Sequence, residues 1–132
     1  MRKEHGEHNE ELCDHLLTNG KYNDWVVTTA FYSALNFVKH EIFPFQIRNG
    51  KKYDEFEHYF NAEVIRGVDK HESLKDLVCK NIKGCSGAYR WLLDASKSAR
   101  YHNYKVSENE AKKARKMLAA VKENCKKLEA EL

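Results

Sequence analysis

The sequence predicts an all-α domain, an up-and-down bundle of four to five helices, and three observations point there. One proline and six glycines in 132 residues are too few breakers for the many short strands of an all-β domain. Apolar side chains recur at intervals of three and four through most of the chain. The stretches between these runs are short, so consecutive helices must pack their apolar stripes against one another. At this length residues 1–132 form a single domain with a core that needs no metal or disulfide staple.

Each element has its own justification. Residues 4–18, "EHGEHNEELCDHLLT", set Leu12, Leu16 and Leu17 on one side, and Asn19-Gly20 supplies a left-handed stop. Gly6 is expected to loosen the first turn of this weakly amphipathic helix. The next helix, Asn23 to Phe43, can be capped by Asn23 or Asp24. Its apolar face is Val27, Ala30, Phe31, Ala34, Leu35, Val38 and Ile42, and Pro44 ends it. After the turn "RNGKKY", Tyr53, Phe56, Tyr59 and Phe60 predict a short helix over 53–62 rather than a strand. Asp69 can cap a helix carrying Leu74, Leu77, Val78 and Ile82 that stops near Gly84. From Ser86 a further helix begins apolar, with Tyr89, Leu92 and Leu93, and continues on the same face as Ser96, Ala99, Arg100 and Asn103. Ser107 and Glu110 form a capping box before a long helix with Ala111, Ala114, Met117, Leu118, Val121, Cys125 and Leu128 on one side.

Composition narrows the function classes. Charged residues make up 33% and hydrophobic residues 42%, which excludes a disordered or fibrous chain. The net charge of +3 permits nucleic-acid contact without a strongly basic signature. No stretch approaches the roughly 20 apolar residues of a membrane span. Charged residues follow Met1 directly, and Cys13, Cys79, Cys85 and Cys125 are scattered without a CxxC, which together predict reduced thiols in a cytoplasmic protein.

Four sets of residues carry potential chemistry. Arg100 follows the apolar face of its helix into the bundle end beside Ser96, Tyr101 and Tyr104, and a guanidinium there needs an anion: a neighbouring carboxylate, a phosphate or a partner subunit. Thr28, Tyr32, Asn36 and His40 recur at intervals of four as a polar stripe that either flanks the core or lines the same cleft. Arg66 and His71 pair a phosphate-holding cation with a proton carrier, the minimum for metal-free cleavage of RNA by its own 2′-hydroxyl; the other reading is a surface charge and a first-turn helix residue. His5, His8, Cys13 and His15 are all chemically able to hold zinc, but their irregular spacing favours a solvated helix start, and the reading assigns no metal or cofactor.

The segments "WVVTTAFYSALNFV" at 25–38, "HESLKDLV" at 71–78 and "YRWLLDASKSARY" at 89–101, with the Ala-rich last helix, resemble the HEPN superfamily of small helical proteins. The most telling pieces are Phe31-Tyr32 and the "S..ARY" ending, and the resemblance covers roughly residues 22–125. It implies a HEPN-like bundle, commonly a homodimer. The group includes metal-independent ribonucleases, toxin–antitoxin components and non-catalytic partners of nucleotidyltransferases. In its nuclease members an arginine and a histidine a few residues apart meet across the dimer axis. Arg66 and His71 match that spacing here, with Gly67 after the arginine, while His102 lies two residues beyond Arg100. The expected sites are therefore Arg66, His71, Arg100 and His102 for catalysis and Tyr32, Asn36, Ser96, Tyr101 and Tyr104 for binding. RNA or a nucleotidyltransferase is the expected partner.

Overall fold

The structure is a computed structural model that describes residues 2–48 and 50–131. Six helices and one minimal hairpin follow in the order α1 (Arg2–Asn19), α2 (Asn23–Ile42), β1 (Phe45–Gln46), β2 (Lys52–Tyr53), α3 (Phe56–Glu63), α4 (Lys70–Asn81), α5 (Ser86–Tyr101) and α6 (Glu108–Ala130). The chain is mostly helical, and among the described residues no helix is long and apolar enough to cross a membrane.

α2 is the centre of the bundle, with α1, α4, α5 and α6 all packed on it. Its sequence explains this. Val26, Val27, Ala30, Phe31, Ala34, Phe37 and Val38 bury most of its circumference, so it needs neighbours on more than one side. Ala30 and Ala34 of α2 share the core with Ala111 and Ala114 of α6, and Leu92, Leu93 and Leu118 belong to the same cluster. Each of these leucines is fully buried, contributing about 1.5–3 kcal/mol apiece.

The buried hydroxyls of α2 do not oppose this packing. Thr28 and Thr29 donate back to the carbonyls of Asp24 and Trp25, and Ser33 Oγ donates to the Gly6 carbonyl of α1 at 2.7 Å. Gly6 therefore does not loosen the first turn as its helix propensity suggested. It is buried inside α1 and lets that helix approach the Phe37 ring of α2. Three ion pairs bind α1 to α6: Arg115 to Glu10 and Asp14, and Lys122 to Glu10.

Helix ends follow local chemistry in most places. Asp69 and Ser107 accept from the backbone N–H of Glu72 and Glu110, and Gly20 closes α1 with φ of 80°. α2 departs from expectation: Tyr22 occupies its N-cap without a side-chain bond, and Asn23 Nδ2 instead donates to the Val106 carbonyl at 3.0 Å, tying the start of α2 to the loop before α6. The segment 53–62 is also corrected. Tyr53 pairs with Phe45 as a strand residue and helix α3 starts only at Phe56, because two short extended pieces pair antiparallel ahead of it. Phe43, Phe45, Phe56 and Tyr59 then stack edge to face as an aromatic cluster at that end.

Candidate functional site

Arg100 lies in the last turn of α5, half-buried against α2. Its Nη1 donates to the Tyr32 hydroxyl at 2.7 Å, and its Nε donates to the Ser96 carbonyl at 3.2 Å. Its Nη2 lies 3.4 Å from Ser96 Oγ. The guanidinium also sits over the Tyr32 and Tyr101 rings, 5.4 and 5.0 Å from their centroids. Among the described residues no carboxylate forms an ion pair with it. Of the three anions the sequence allowed, the neighbouring carboxylate is absent, and the bonds to Tyr32 and Ser96 leave donors of the fork for an incoming group.

The same helix face explains why Ser96 is present. Fully buried, it donates to the Leu93 carbonyl at 2.9 Å while offering its oxygen toward Arg100. Tyr32 belongs to two environments. Its hydroxyl accepts from Arg100, and its ring lines an open groove of about 400 Å³ between α1 and α2, together with Trp25, Thr28, Asn36 and Lys39. Three members of the expected polar stripe, Thr28, Tyr32 and Asn36, line this groove between α1 and α2, and Arg100 is not among its lining residues. Asn36 Nδ2 is occupied by the Tyr32 carbonyl at 2.8 Å. The fourth, His40, lies outside it in a hollow with Glu41 and Glu129.

His71 joins the Arg100 cluster. Its imidazole packs edge-on against Phe31, 5.5 Å between centroids. Burial holds its pKa below the ordinary histidine value; the charges of Arg100, Lys97 and Lys39 push the same way, while Asp69 pulls it back up. The ring is neutral at pH 7, in the state that accepts a proton. Lys97 and Lys39 are each balanced, by Glu72 at 3.2 Å and Glu57 at 2.7 Å. Arg100 is the cation of this group that no carboxylate balances among the described residues.

Of the remaining expected residues, Tyr101 touches this cluster through its ring beside Arg100. Arg66 is exposed in the turn between α3 and α4 and is not among the charges that act on His71. His102 is exposed at the C-cap of α5, where its backbone N–H bonds the Ser98 carbonyl. Tyr101 and Tyr104 project outward at 72% and 69% exposure. Trp25, Lys39 and Lys97 were missed. The signal for two of them was present, since Trp25, Tyr32 and Lys39 stand seven residues apart and so share one side of α2.

Of the four N-terminal candidates, Cys13 is buried with its thiol toward the Val26 carbonyl, whereas His5, His8 and His15 are exposed. A hollow of about 850 Å³ beside α1 is lined by Glu7, Glu10, Glu11, Asp14, His15 and Arg115, and its excess of carboxylates disfavours a phosphate. Comparisons with protein-family models, with characterised proteins and with solved structures return no match to this chain.

Proposed function

We propose that this protein is a HEPN-like RNA-binding module that takes single-stranded RNA across the α2–α5 face, a backbone phosphate resting on Arg100. The observation that carries this reading is the half-buried guanidinium, positioned by Tyr32 and Ser96 and unpaired with any carboxylate among the described residues. The exposed Tyr101 ring, 5.0 Å from the guanidinium, supports it, because an aromatic face beside a cation is what a splayed base stacks on, and Trp25 is a further exposed aromatic on the groove that Tyr32 also lines.

Fluorescence anisotropy with a labelled mixed-sequence single-stranded RNA across a salt series tests it. Each lost phosphate contact reduces the salt slope for single strands by about 0.7. Arg100→Met is expected to do so once and to weaken binding about tenfold, and Trp25→Ala to weaken binding by about 1–3 kcal/mol without altering the slope. Absence of salt-sensitive binding by the wild-type protein would end this reading.

His71 supports a second reading, metal-independent RNA cleavage. A neutral imidazole beside an arginine is suited to take the 2′-hydroxyl proton while the cation stabilises charge on the phosphate. Arg66 enters that reading only from a second copy in a dimer. Incubating RNA with the protein in EDTA separates the two: cleavage lost in His71→Ala supports catalysis, and intact RNA leaves binding alone.

A further inference from the structure

The C-terminal turns of α2 and α6 lie side by side and each ends in acid, Glu41 on α2 and Glu129 on α6. Helix C-termini carry partial negative charge and favour cations. Neither carboxylate is in an ion pair with any lysine or arginine among the described residues. His40, next to Glu41, adds an imidazole.

The ligand atoms of His40, Glu41 and Glu129 all lie within 4.8 Å of one another, and no other such group of histidine, cysteine and acidic residues occurs among the described residues. They border a hollow of about 70 Å³. Three lysines share its rim, which limits how much charge the pair alone can hold. Lys122 is already engaged with Glu10 at 2.8 Å and lies over the Phe37 ring, which leaves Lys3 and Lys126 to oppose a cation.

We propose that His40, Glu41 and Glu129 bind a divalent transition-metal ion, zinc being the best chemical match, and that the ion clamps the end of α2 to the end of α6. One nitrogen and two carboxylate oxygens are a familiar zinc donor set, with water free to complete a tetrahedron. Magnesium and calcium, which favour oxygen cages, fit an imidazole poorly. Ligand atoms around a tetrahedral zinc stand roughly 3.3 Å apart, so the three side chains need only draw in. The site is at the opposite end of α2 from Trp25 and owes nothing to the RNA reading.

The test uses the full chain, stripped with EDTA and titrated with zinc chloride against a chromophoric chelator, with bound metal counted after desalting. About one zinc per chain is expected, with Glu129→Gln and His40→Ala each weakening affinity at least about tenfold and His8→Ala/His15→Ala leaving it unchanged. Zinc should also raise the melting temperature of wild type and not that of Glu129→Gln. Glu129 is exposed, so its variant keeps the test valid even if His40→Ala fails to fold; circular dichroism verifies folding. Three outcomes overturn the proposal: no zinc retained, zinc retained equally by both site variants, or zinc lost only in the N-terminal histidine variant.

Discussion

Replacing Gly6 by alanine should destabilise the protein, although the same change in an unencumbered helix stabilises it. A Cβ on Gly6 would stand 2.9 Å from Cδ1 and Cε1 of Phe37 and 3.2 Å from Cζ. Carbon atoms in contact prefer about 3.5–4.0 Å. The ring has little room to retreat, because Phe37 is buried and Lys122 Nζ covers it 5.5 Å from the centroid. The helices cannot simply part either, since Ser33 Oγ holds the Gly6 carbonyl at 2.7 Å. Helix propensity returns about 0.5–1 kcal/mol, while overpacking costs about 1–3 kcal/mol. The net loss is about 1 kcal/mol and at most about 2.5 kcal/mol, read as a melting temperature lowered by roughly 3–5 °C per kcal/mol.

Urea denaturation followed by circular dichroism measures that loss, with Gly87→Ala as control because its added Cβ meets nothing within 4 Å. In a Phe37→Leu background the clash is relieved, and Gly6→Ala should become neutral or slightly stabilising. A Gly6→Ala protein as stable as wild type, or an equal loss in the Phe37→Leu background, would refute the close-approach argument.

Tyr89→Phe should be neutral or stabilising by up to about 1 kcal/mol in the same denaturation assay, because the fully buried Tyr89 hydroxyl has no hydrogen-bond partner among the described residues. Ser107→Ala removes the side chain that caps α6 and should cost about 1 kcal/mol, with Asp69→Ala costing a similar amount at α4. The His71 imidazole should titrate by NMR below the ordinary 6.5, and Arg100→Met should move its midpoint upward by removing one of the charges that depress it. The sign for stability follows. The folded state resists protonation of His71 more than the unfolded chain, so this contribution is complete above the unfolded value and is lost as pH falls from there through the lower, folded value. A His71→Gln variant should accordingly lose less stability than wild type between neutral and mildly acidic pH.

What could be read in the sequence was local. α2 and α6 follow from their apolar periods, and Asp69 and Ser107 cap as their positions suggest, because each signal lies within a turn or two of the residue it governs. The hairpin at 45–53 was not legible, since two residues per strand carry no period and only pairing defines them. Nor was the role of Gly6, whose effect depends on the distance to Phe37 on another helix. At the candidate site, Arg100 was singled out by its place at the end of an apolar face. Its fate was settled by Tyr32, 68 residues away in the chain, through a helix orientation that no spacing rule conveys. Arg66 and His71 illustrate the converse: near neighbours in sequence, they part company because the turn at Gly67 leaves Arg66 in solvent while α4 carries His71 inward.

The position of Tyr32 on α2 gives the Arg100 site two unequal jaws. One is anchored in the helix on which the other long helices rest, so moving it would disturb the whole bundle. The other is Tyr101, whose ring lies beside the guanidinium where α5 gives way to an irregular stretch that reaches Val106. A ligand would meet a fixed anvil on one side and an adjustable finger on the other. The cost of ordering would fall on that aromatic rotamer, and ligands of different shape would be told apart there, with the bundle itself unchanged.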